Sequence, residues 1–167
     1  MANINHKPSK YVLNLQHVLP PFVDEGEKVI NALIEIVPNT INKYELITES
    51  GTLKLDRVGY SSLAYPVTYG LIPMTWDEDN DLLDVVVANV TEELIPGTLV
   101  ELRVIGVMKF EDNGERDDKI IAVINDDKRQ EHINKIEDLG SHWAKEIEHY
   151  FCLLYTSDAA DERSSVD

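Results

Sequence analysis

Cysteine is almost missing from this 167-residue chain: Cys152 stands alone, which excludes a disulfide framework and any cysteine-based zinc site. Basic residues are scarce too. Lys and Arg total 15 against 31 Asp and Glu, a formal net charge of −16. So acidic a balance argues against non-specific binding to nucleic acid or anionic lipid, because neutralising phosphate needs clustered Lys and Arg. No apolar run approaches the ~20 residues of a membrane span. The start, MANINHKPSKYVLN, lacks the apolar core of a signal peptide. These absences lead us to expect a soluble cytoplasmic protein that binds neither nucleic acid nor membrane.

What is present suffices for one core. Apolar residues make up 43% of the chain, too many for acidic disorder. Residues 1–28 are poorly periodic and read as an extension lying on or beside the domain. Short runs rich in Val, Ile, Leu and Tyr then predict strands over 32–37, 43–48, 52–58, 67–72, 83–90, 98–110 and 118–124, with a bend at Gly106. Thr48–Thr52 fits a three-residue hairpin loop with Gly51 in the left-handed region, and Asn113-Gly114 fits a two-residue one. Helix comes late. A short helix is expected over 131–138, and Ser141 caps a segment with Trp143, Ile147, Tyr150 and Phe151 on one face. Short strands followed by terminal helix predict a small closed barrel with helix packed outside it.

The chemistry lies in two acidic clusters, Asp77–Asp84 and Glu111–Asp118. Strand alternation in the second puts Asp112, Asp117 and Lys119 on one face, with Arg116 and Asp118 on the other. Charge runs are ordinarily solvated faces. If the acids converge, however, two carboxylates ~4 Å apart repel by about 4 kcal/mol at an effective dielectric near 20. Four together would overwhelm a total stability of roughly 5–15 kcal/mol unless cations neutralised them. Oxygen donors without His or Cys suit Mg²⁺ or Mn²⁺. An EF-hand starting at Asp77 is excluded, because Leu82 and Ala88 hold the positions that need Gly and Glu. In the 43–57 hairpin Lys43 falls opposite Arg57 with Glu45 on the same face, and two cations beside a hard-metal site would suit phosphate.

These residues form a succession. Ile34-Glu35-Ile36, Asn42-Lys43-Tyr44-Glu45, Lys54-Leu55-Asp56-Arg57, Tyr65–Gly70, Asp79-Asn80-Asp81-Leu82-Leu83-Asp84 and Asp112…Asp117-Asp118-Lys119 together resemble soluble (family I) inorganic pyrophosphatase over about residues 28–151. The resemblance implies a mainly β domain at 29–151, a five-stranded OB-like barrel with flanking helices. It implies Mg²⁺-dependent hydrolysis of pyrophosphate, taken as its magnesium complex, with Mn²⁺ as a possible substitute. Asp79, Asp84, Asp112, Asp117 and Glu35 would hold metal, and Asp81 would be the general base. Lys43, Arg57, Tyr69 and Lys119 would bind phosphate, with Glu45 and Tyr65 in support. Members of the bacterial branch are typically hexamers, so a homo-oligomer is expected.

The chain also departs from the pattern. Leu82 replaces a usual Pro and would free the backbone of its turn. Asn113 replaces a common acid, which predicts weaker metal binding. After Phe151 the family's phosphate-binding Tyr-Lys pair is missing, and residues 152–167 resemble a translated sequencing adapter, a non-native tail. A catalytically weak or inactive metal- and phosphate-binding barrel is therefore the second reading.

Overall fold

The computed structural model describes residues 14–23, 26, 28–59, 61–77, 81–112 and 114–164, with side chains to Thr156. Its strands are β1 (Val29–Ile36), β2 (Asn42–Leu46), β3 (Leu53–Val58), β4 (Thr68–Leu71), β5 (Asp84–Val87), β6 (Leu99–Met108), β7 (Glu111–Asp112), β8 (Glu115–Arg116) and β9 (Lys119–Ile124). Five of them close into a barrel in the order β1-β4-β5-β9-β6, the expected architecture. The pair β5–β9 is parallel and the other barrel pairs are antiparallel. Hairpins β2–β3 and β7–β8 stand apart as two-stranded sheets.

Successive strand residues face opposite ways, and the apolar residues sort accordingly. Ile30, Ala32, Ile34, Val85, Val87, Leu102 and Ala122 form one buried cluster drawn from four barrel strands. Val86, Ile121 and Val123 turn the other way, against Ile147, Tyr150 and Phe151 of the helix α1 (Trp143–Ser164). Because β5 and β9 are buried on both faces, they read as unbroken apolar runs rather than alternating ones.

Glycine permits the closest approach in the barrel. A Cβ on Gly70 would lie 2.1 Å from the Leu33 carbonyl oxygen across the β1–β4 ladder. Gly70→Ala should therefore destabilise the fold by roughly 3 kcal/mol, the upper end for overpacking. Urea unfolding measures it, and a loss under about 1 kcal/mol would show that the strands part easily.

Several boundaries differ from the expected ones. Strand β1 starts at Val29 rather than residue 32, because Val29–Asn31 find partners in Arg103–Glu101. Strand β5 ends at Val87, just ahead of Asn89, whose φ of 52° leaves the strand region. Glycine 51 takes the expected left-handed φ of 66°, and the register of β6 shifts between Val104 and Gly106, where the bend was expected. In place of a helix over 131–138 there are 3₁₀ turns at Lys128–Gln130 and Ile136–Leu139. The cause is Arg103, whose guanidinium donates to the carbonyls of Gln130 and Ile133 and so competes for helical acceptors. Helix α1 passes Phe151 without a break.

From Asn14 onward the extension lies against the domain. Leu15 and Leu19 pack on Leu33, Leu71 and Leu82, and Asn14 Nδ2 donates to the Thr48 carbonyl at 2.8 Å. Among the described residues no helix is long and apolar enough to cross a membrane.

Candidate active site

Parallel pairing of β5 with β9 puts their first residues, Asp84 and Lys119, opposite each other. Lys119 is 3% exposed, and its ammonium pairs with both Asp84 and Asp117. It also stands 5.6 Å from the Tyr69 ring centre and 5.8 Å from that of Phe151, a cation–π arrangement. Burial opposes the lysine's charge, but Asp84 and Asp117 outweigh it and hold the pKa above the ordinary value. Burial raises the Asp84 carboxyl, although Lys119 and the Tyr69 hydroxyl both pull it back.

Glu35, at the end of β1, is 6% exposed, and its Oε1 accepts from the Leu46 N–H at 2.7 Å. Burial pushes its pKa up to about 8; the Leu46 bond opposes this, and Asp84, Asp81 and Glu45 add repulsion. The folded state thus keeps a proton that the unfolded chain releases near 4.5, so stability falls as pH rises between those values. Glu35→Gln preserves the acceptor for Leu46 and should flatten that fall, stabilising the metal-free chain at pH 8 by up to about 4 kcal/mol. Denaturant unfolding in chelator at pH 5 and pH 8 measures it. Equal pH dependence in both proteins would rule Glu35 out as the source.

The other expected residues converge on the same place. A cleft of about 400 Å³ is lined by the acids Glu35, Asp81, Asp84, Asp112 and Asp117 and by the phosphate-binding candidates Lys43, Arg57, Tyr69 and Lys119. Glu45 and Tyr65 line it too. Asp79 and Asn113 lie outside the described residues. Lys43 faces Arg57 across β2–β3, and its Nζ is 2.6 Å from Glu45. The Tyr65 ring packs 6.1 Å from Tyr69 and 5.3 Å from Tyr150. On the far face of the second cluster, Arg116 Nε donates to Asp118 at 2.8 Å.

The side chain of Leu82, the residue that stands where the family has Pro, is buried with Leu33 and Leu71. The Asp77 N–H donates to the Asp81 carbonyl at 2.8 Å, and Asp81 Oδ1 accepts from the Leu82 N–H at 2.8 Å. An apolar anchor thus holds the loop that presents Asp81.

Tyr155 lines the cleft although it was not among the expected residues. Its hydroxyl donates to Asp117 Oδ2 at 2.7 Å. Burial, followed by Asp117, raises its pKa well above the usual phenol range, so it remains a donor. The available signal was spacing: Tyr155 follows Phe151 by one helical turn and continues its face. No role was assigned to it because it falls within residues 152–167, the stretch that resembles a translated adapter.

Among the described residues no three acids yet close on one point; Lys119 stands between Asp84 and Asp117. The donor set nonetheless fits a hard divalent cation. It offers carboxylate oxygens without His or Cys, near enough that Asp84, Asp81 and Glu45 add repulsion to the burial that raises Glu35.

Comparison with known proteins agrees with this geometry. The profile of the inorganic pyrophosphatase family matches residues 32–165. A soluble inorganic pyrophosphatase of Zea mays is 46% identical over 127 residues, covering 76% of this chain and 59% of the relative. Soluble inorganic pyrophosphatase 3 of Arabidopsis thaliana is 45% identical, covering 76% and 58%. The chain thus spans about three-fifths of the length of these curated relatives. The crystal structure of an inorganic pyrophosphatase from Thermus thermophilus superposes with a TM-score of 0.81 at 39% identity, covering 90% of this chain and 84% of that one. One from Neisseria gonorrhoeae gives 0.75 at 38%, covering 82% and 79%. Barrel, cleft and kinship coincide, and the chain belongs to the inorganic pyrophosphatase family.

Proposed function

We propose that this chain hydrolyses inorganic pyrophosphate to two orthophosphates, taking its substrate as a magnesium complex. The supporting observation is the cleft that brings Glu35, Asp81, Asp84, Asp112 and Asp117 together with Lys43, Arg57 and Lys119. Acids alone would repel the substrate, and cations alone would not recruit a metal.

Glu35, Asp84, Asp112 and Asp117, with Asp79 by its place in the sequence, would hold Mg²⁺, with Mn²⁺ as a substitute. Bound divalent cations supply charge neutralisation for phosphate oxygens and make a water molecule more acidic. Asp81 accepts the water's proton as the oxygen attacks one phosphorus and the bridging P–O bond breaks. Lys43, Arg57, Lys119 and the Tyr69 hydroxyl align the two phosphates and stabilise the departing one. Glu45 holds Lys43 in place, and Tyr65 backs the Tyr69 ring. The exposed Leu55 and Val58 of β3 support self-association, as a hexamer on the family pattern, and the reading places the protein in the cytoplasm.

The test is phosphate release from pyrophosphate by the full chain across a Mg²⁺ titration. Release that rises with Mg²⁺ and is abolished by chelator is expected. Release that ignores both would overturn the proposal.

A further inference from the structure

We infer that Tyr155 is a positioning residue: its hydroxyl, brought from helix α1, fixes Oδ2 of Asp117 and so sets the direction of Oδ1, the oxygen that also meets Lys119. The inference rests on the reading of Asp117 as a cation ligand.

Asp117 sits between β8 and β9, outside any strand ladder. Its backbone is tied by one N–H to the Phe110 carbonyl at 3.1 Å. The orientation of its side chain, 14% exposed, is therefore set by what its two oxygens meet. Oδ1 meets the Lys119 ammonium, and Oδ2 accepts from Tyr155 at 2.7 Å. The phenol is itself held. Its ring lies 6.2 Å from Phe151 and 6.1 Å from Phe110, the latter at an interplanar 68°. Two aromatic neighbours, Phe151 one turn back on the same helix and Phe110 in the link between β6 and β7, restrict its swing, so the donor arrives from a fixed direction. A carboxylate with one oxygen so anchored presents the other with a defined approach, as hydrogen bonds to metal-ligating groups generally do. The contact comes from residues 152–167, the stretch that resembles a translated adapter, so it belongs to the 167-residue chain as it stands and not to the family pattern.

Tyr155→Phe removes the hydroxyl and keeps the ring. Binding of Mn²⁺ alone to the full chain, followed by electron paramagnetic resonance without substrate, gives a readout independent of turnover. Binding should weaken roughly tenfold, the thermal midpoint in chelator should stay put, and the loss should vanish in the Asp117→Asn background. Wild-type Mn²⁺ affinity in Tyr155→Phe, with Asp117→Asn weakened, would overturn the positioning role and leave the ligand reading standing. A loss that persists in the Asp117→Asn background would also overturn it, by showing that the tyrosine acts through packing. Unchanged affinity in Asp117→Asn alone would overturn both.

Discussion

Asp81→Asn should lower phosphate release from pyrophosphate by roughly 10²- to 10⁴-fold, the range for losing a general base. The substitution keeps the size and the oxygen that accepts from the Leu82 N–H, and Leu82 stays buried to hold the loop. Neither folding nor the shape of the cleft should change, so the loss falls on proton acceptance. The comparison is made at saturating Mg²⁺, with a denaturant melt as control. A variant within about tenfold of the parent would remove Asp81 from the mechanism.

Lys119→Met should cost stability instead, about 3–5 kcal/mol near pH 7, because it leaves two part-buried carboxylates facing each other without their shared cation. The lysine's pKa is raised by its partners. Its contribution is therefore fully present below the unfolded value of 10.5 and disappears as pH climbs through the folded value. At the acid end the loss should shrink, since Asp84 already titrates above its ordinary value and protonation removes the repulsion. Denaturant melts at pH 4.5 and pH 7.5 test the size of the loss and its shrinkage at the acid end. A loss of the same size at the two values would mean that packing against Tyr69 and Phe151, rather than charge, holds this corner.

Local pattern told much of this in advance. The hairpin at Gly51 was readable, and Lys43 does meet Arg57, but by a different register: Tyr44 pairs with Leu55, and a shift between Lys43 and Tyr44 brings Lys43 opposite Arg57. Strand alternation separated Asp112, Asp117 and Lys119 from Arg116 and Asp118. The neighbours of β9 were not readable. Its apolar run fits any position buried on both faces, and nothing local says that it lies parallel to β5. The pairing of Asp84 with Lys119 was hidden with it. The segment at 128–139 misled because the competing donor, Arg103, lies about thirty residues upstream. Tyr155 was given no role because residues 152–167 resemble a translated adapter, yet its helical phase places it beside Asp117.

The strand order has a consequence for synthesis. Strand β9 leaves the ribosome after every other barrel strand, yet it sits between β5 and β6. A nascent chain stopped before Lys119 presents two unpaired edges, the kind of surface that invites wrong partners. Insertion of β9 removes both edges at once and delivers Lys119 beside Asp84 in the same event. Translational arrest or truncation upstream of residue 119 would therefore yield chains that are both sticky and inert, whereas a chain that has escaped aggregation has by that same step brought Asp84 and Lys119 together.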